Sequence, residues 1–83
     1  MTAAPRAIRV RFDKSWAARE RRGLLSTDPR VRTLCRVLVT YPEVRHIVTD
    51  RISLDATTEA RTIETIVGFL ERQQWLVESL VVE

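Results

Sequence analysis

Among its 83 residues the chain has one cysteine, Cys35, one histidine, His46, two glycines and three prolines. A single cysteine excludes an internal disulfide framework and favours a reducing, cytoplasmic setting. So little glycine and proline, with no repeat or low-complexity tract, leaves no room for linkers, and the length allows one domain at most. The apolar runs are far shorter than the roughly 20 residues that a membrane span needs. The opening "MTAAPRAIRVRF" has no apolar core, so it does not read as a secretory signal. One Cys and one His cannot build a tetrahedral metal site, and neither glycine belongs to a phosphate-cradling loop. Cys35 and His46 are the only residues from which a thiol–imidazole nucleophile pair could be made. Cys35, however, sits between Leu34 and Leu38 in an apolar stripe, the position of a small buried hydrophobe. These absences predict a protein with no catalytic residues, no cofactor, no metal and no small-molecule substrate: not an enzyme.

What is present is charge, unevenly spread. The chain has 14 Lys+Arg, 11 Asp+Glu and a net charge of +3, with 45% hydrophobic residues. Residues 1–22 carry seven basic and two acidic side chains, residues 23–58 five and four, and residues 59–83 two and five. A basic head and an acidic tail bear on partner choice more than the total does.

Ile8, Val10 and Phe12 alternate with Arg9 and Arg11, a strand-like pattern with no convincing partner strand, and residues 1–12 read as an extended N-terminal arm. Asp13 is placed to cap a first helix through "KSWAARERR", with Gly23 after its end. In "STDPRV", Asp28 as N-cap and Pro29 at the first helical position open a second helix. Its apolar stripe is Val31, Leu34, Cys35 and Leu38, and it stops before "TYPE" because the residue preceding proline leaves the helical region. Val44, Ile47 and Val48 suggest a short third helix closed by Ile52 and Leu54. Asp55 or Thr57 would cap the next helix, whose stripe Ile63, Ile66, Val67 and Leu70 is the clearest in the chain. Trp75, Leu76, Val77, Leu80 and Val81 form a last helix, either a continuation or a separate piece after a bend near Gln73–Gln74. The expected fold is all-α: residues 13–83 as one helical interaction domain behind the arm.

Glu64, Glu71 and Glu78 recur every seven residues and share one face if that last helix is continuous. One reading is a solvated face with Arg61 and Arg72 as neighbours. The other is a docking surface for a basic patch, Arg19, Arg21 and Arg22, of another copy, a head-to-tail contact that propagates into rings or filaments. Trp16 and Trp75 read as core anchors. The alternative class is a small basic nucleic-acid-binding or antitoxin-like regulator held by Arg6, Arg9, Arg11, Lys14, Arg19, Arg21 and Arg22. No helix carries the side chains of a base reader, and the most apolar helices are the acidic ones, which argues against a membrane surface.

The stretch "LCRVLVTYPEVRHIVTDRISLD" followed by "TIETIVGFLERQQWLVESLV" resembles the bacterial effector-associated domains, a death-like group related in architecture to caspase-recruitment domains. The likeness rests on Leu34, Tyr41–Pro42, Ile52–Leu54 and the run Ile66, Val67, Phe69, Leu70, Glu71, Trp75, Leu76 and Leu80. "AIRVRF" has no counterpart there. The resemblance implies a compact death-fold-like bundle of five to six helices. It also implies a recruitment module without chemistry, coupling a sensor to an effector in bacterial conflict or anti-phage defence by homotypic or heterotypic association with like domains. Such domains begin larger proteins, and the ending at Val82–Glu83 fits a piece of a longer chain.

Overall fold

The computed structural model describes residues 4–15 and 27–83. Its elements are β1 (Arg6–Phe12), α1 (Pro29–Leu38), β2 (Arg45–Thr49), β3 (Ser53–Thr58), α2 (Ala60–Gln73) and β4 (Val77–Val82). The four strands form one sheet in the order β2-β3-β1-β4, and every neighbouring pair is antiparallel. Two crossovers are interleaved: β1–α1–β2 leaves a slot that β3 fills, and β3–α2–β4 leaves one that β1 fills. This is the split β-α-β, ferredoxin-like arrangement, an α+β sandwich of one sheet and two described helices.

The all-α bundle of five to six helices expected from the sequence is therefore overturned, and so is its N-terminal arm. Arg6–Phe12 is a central strand, paired from Arg6↔Thr58 to Arg11↔Ser53 on one side and from Ile8↔Val82 to Phe12↔Val77 on the other. Its alternation is what such a strand needs: Ile8, Val10 and Phe12 are buried while Arg9 and Arg11 face outward. The supposed third helix is a hairpin, with β2 and β3 closed by an Asp50 N–H to Ser53 carbonyl bond of 2.8 Å. Val44, Ile47, Val48, Thr49 and Ile52 are β-branched, and such side chains lose rotamer freedom in a helix but pack well on a pleated sheet. The last helix is likewise replaced. Gln74, at φ 57°, takes the left-handed conformation that ends α2, and Val77–Val82 runs as a strand. Asp55 and Thr57 lie within β3 and cap nothing; the N-cap of α2 is Glu59, which makes no side-chain capping bond.

Other expectations hold. Asp28 caps α1, accepting a 2.8 Å hydrogen bond from the Arg30 backbone N–H, with Pro29 as the first helical residue. Val31, Leu34 and Leu38 are buried on α1, as are Ile63, Ile66 and Leu70 on α2. Together with Ile8, Val10, Phe12, Leu54 and Ala56 they form one core, so both helices cover the same sheet face. Trp75 anchors its edge, meeting the rings of Phe12 and Phe69 edge-on at 5.7 and 5.6 Å. The first helix and Trp16 lie outside the described residues.

Arg30 ties the ends of three elements together. Its guanidinium bonds the fully buried Asp28 carboxylate at 2.6 Å, the Asp13 carboxylate at 2.5 Å and the Asp13 carbonyl at 3.1 Å. It also donates to the Leu76 carbonyl at 3.4 Å and lies 4.9 Å from the centre of the Phe12 ring. Hydrogen bonds from Ser15, and then from Arg30, hold the Asp13 carboxyl down to about 2. A carboxyl whose folded pKa lies below its unfolded value of about 4 stabilises the fold above that value, and the contribution disappears as pH falls toward 2. Urea melts of Asp13→Asn are thus expected to show lower stability at pH 7 and a shallower loss between pH 4 and 2 than the parent; parallel pH profiles would remove Asp13 from the account.

Candidate functional site

Among the described residues both helices lie on one side of the sheet and none covers the other, the bare face. Register and burial place Arg9 and Arg11 of β1, Ser53, Asp55 and Thr57 of β3, Val48 of β2, and Ser79 and Val81 of β4 on it. The two arginines are not free cations. Arg9 makes a two-pronged pair with Asp55, Nε to Oδ1 at 2.9 Å and an amino nitrogen to Oδ2 at 3.1 Å. Arg11 approaches Glu78 at 3.7 Å. With the arginines turned to carboxylates, and no aromatic among these residues on which a base could stack, the face lacks what sheet-face readers of single-stranded nucleic acid use. Two hollows, one of about 480 Å³ at the β2 edge beside Glu43, Arg45 and Thr58 and one of about 410 Å³ on the bare face beside Arg11, Asp50 and Ser53, are lined mostly by polar and charged residues. A small-molecule site is usually an apolar cleft with a few placed polar groups. Among the described residues no group of three or more His, Cys, Asp or Glu is placed to hold a metal, and no helix is long and apolar enough to cross a membrane.

The two free edges of the sheet differ. On β2 the ladder is broken between Arg45 and Val48, where His46 takes a positive φ of 54°, and charged Arg45, Asp50 and Arg51 flank the strand. A bulge and charges are the usual devices that keep an edge from pairing. On β4 no such device is present along Ser79–Val82. Of the six large hydrophobic residues exposed among the described residues, four belong to β4 or the residue before it: Leu76 67%, Leu80 37%, Val81 45% and Val82 37%.

The backbone of β4 is also available. Ala7 and Glu83 exchange both main-chain bonds, at 3.3 and 2.9 Å. Antiparallel ladders alternate bonded and non-bonded pairs, so Val81 and Ser79 bond to β1, through Arg9 and Arg11. The N–H and C=O groups of Leu80 and Val82 then point away from β1, and among the described residues no strand lies beyond them.

Of the interaction residues expected from the sequence, Arg19, Arg21 and Arg22 lie outside the described residues. Glu64 and Glu71 are exposed on α2, two turns apart on one helix face. Glu78 leaves that row: it sits on β4 beside Arg11, on the opposite side of the sheet from the helices. Arg6 and Lys14 are exposed, at opposite ends of β1. Cys35 is half-buried against the core from α1 and His46 is exposed at the β2 bulge, so they sit on different elements of the fold. Leu80, Val81 and Val82 escape the sequence reading as surface residues. Their signal was the run Val77, Val81, Val82, β-branched and therefore strand-prone.

Comparison with protein-family models, with curated proteins and with solved structures finds no match for this chain.

Proposed function

We propose that the chain is a protein-association module that engages its partner through β4, by addition of a strand to the open edge of the sheet. The observation that carries this reading is the asymmetry of the two edges: on β2 the bulge falls inside the strand at His46, whereas on β4 the irregularity lies near its start at Glu78 and leaves Ser79–Val82 a regular, mostly apolar stretch with main-chain groups at Leu80 and Val82 turned outward. In strand addition the main-chain bonds supply affinity and the alternate side chains supply selectivity. The bare sheet face, with Arg9 and Arg11 paired to Asp55 and Glu78, gives less support to a nucleic-acid interface. The module has no chemistry of its own in this reading and works in the cytoplasm, where Cys35 stays reduced. Coupling of a sensor to an effector would, in this reading, run through a sheet edge rather than a helix face.

The test is a titration of the isotope-labelled protein with a valine–threonine heptapeptide flanked by lysines, followed by amide chemical shifts. Shifts are expected at Leu80 and Val82 and their β1 neighbours, with none along β2. Shifts centred on β2, or no shifts at millimolar peptide in protein that is monomeric at the concentration used, would remove the edge reading. A short single-stranded oligonucleotide, in the same spectra at low salt, is expected to leave β1 and β3 unmoved.

A further inference from the structure

We infer that the partner of β4 is a second copy of this chain, and that two β4 strands pair antiparallel about a two-fold axis at Val81 to make one continuous eight-stranded sheet. This rests on the edge reading above and adds the occupant and the register.

The argument starts from which main-chain groups are free. Only the odd–even alternation that directs Leu80 and Val82 outward allows a new ladder, so the bonded pairs across the axis must be drawn from these residues. A shift by one residue would set the core-side row of one copy against the outer row of the other. Among the registers that remain, pairing Leu80 with Leu80 of the other copy places Val82 opposite Glu78 and Val81 opposite Ser79. Pairing Val82 with Val82 places Val81 opposite Glu83. Only the register with Val81 on the axis matches like with like. Leu80 then faces Val82 of the other copy, twice by symmetry and on the core side, and Val81 faces its own equivalent on the bare side. A patch that complements itself in this way is what a two-fold contact requires.

Charge points to the same register. Ser79 falls opposite Glu83 of the second copy, and Ser79 is the β1-paired neighbour of Arg11. The bare face therefore carries a row that runs Arg11, Ser79, Glu83 of the second copy, with strand spacings of about 4.8 Å. The small serine lets the long side chains on either side of it meet. Arg11 is only loosely held by Glu78, at 3.7 Å, and both side chains are 46% exposed. Each copy supplies the arginine of one such row and the glutamate of the other, so at each end of an apolar centre Arg11 stands between its own Glu78 and Glu83 of the second copy. Nothing of the kind is available on β2, whose bulge at His46 interrupts the ladder.

Light scattering after size exclusion, on the full chain over 1 µM to 1 mM, is expected to show a monomer–dimer equilibrium that Val81→Lys abolishes. Glu83→Arg should weaken it by a factor of about ten. The register is read by single cysteines placed in a Cys35→Ala background and oxidised mildly. Residues facing each other in a non-bonded antiparallel pair have Cα atoms about 4.5 Å apart, within disulfide range. Val81→Cys is therefore expected to form a covalent dimer at least ten times faster than Leu80→Cys or the exposed β2 control Val48→Cys, with unchanged circular dichroism. Equal rates for all three, or a dimer that survives Val81→Lys, would overturn the inference. A strict monomer whose β4 amides still shift with the heptapeptide overturns self-pairing and leaves strand addition to another protein standing. A monomer indifferent to the peptide removes both.

Discussion

Deletion of residues 1–12 is expected to abolish the fold, leaving far-UV circular dichroism of an unfolded chain and collapsed amide dispersion. These residues contain the strand that bonds to both β3 and β4, so removing them separates β2–β3 from β4. Ile8, Val10 and Phe12 are each no more than 2% exposed. Burying such side chains contributes about 1.5–3 kcal/mol apiece, so the three together carry about as much as the whole net stability of a chain this size, which at about 0.05–0.15 kcal/mol per residue is roughly 4–12 kcal/mol. An appended basic arm would behave differently: its loss would reduce charge and leave a folded core. A truncated protein with native-like spectra would contradict the central position of β1.

Substitution of Arg30 by alanine is the point change expected to cost most, about 3–5 kcal/mol, because it leaves the Asp28 carboxylate buried without its counter-charge. For a domain of this size that corresponds to a fall in Tm of more than about 10 °C. The cost belongs to the stranded charge rather than to lost packing alone, and a companion variant separates the two. Asp28→Ser keeps an N-capping oxygen for α1 while removing the charge. Arg30→Ala combined with Asp28→Ser should therefore recover a large part of the loss, although Asp13 also loses a donor. Thermal and urea melts of the parent, both single variants and the double variant measure this directly. A loss below about 1 kcal/mol for Arg30→Ala would show that water replaces the guanidinium without difficulty.

How much of this was legible depended on whether a signal was local. The cap and first residue of α1, Asp28 and Pro29, and the stripes of both helices were readable because helical spacing and capping act within a few residues. The alternation Ile8–Val10–Phe12 was equally plain, but a strand has meaning only through its partners. Those partners were hidden for separate reasons. In β2 the bulge at His46 breaks the two-residue period, so Val44, Ile47 and Val48 mimic helical spacing. In β3 the alternation is carried by Leu54, Ala56 and Thr58, only one of them a large hydrophobe. In β4 the register shift near Phe12 puts Val77 and Leu80 three apart, again a helical interval. The Arg30 cluster had no sequence signature, because Asp13 and Leu76 reach it only through the fold. The glutamate row was legible only as far as α2 extends, through Glu64 and Glu71; Gln74 ends the helix before Glu78.

The interleaving of the two crossovers also sets a timetable. Arg6 must find Thr58, and Ile8 must find Val82, so β1 pairs only with strands synthesised much later. Loop closure over such separations is entropically costly and slows folding relative to helical domains of equal length. In synthesis Ile8, Val10 and Phe12 precede the strands they pair with, and the arginines between them are charges of the kind that oppose edge-to-edge pairing of like strands. The alternation that builds the core at the end thus protects the chain at the beginning.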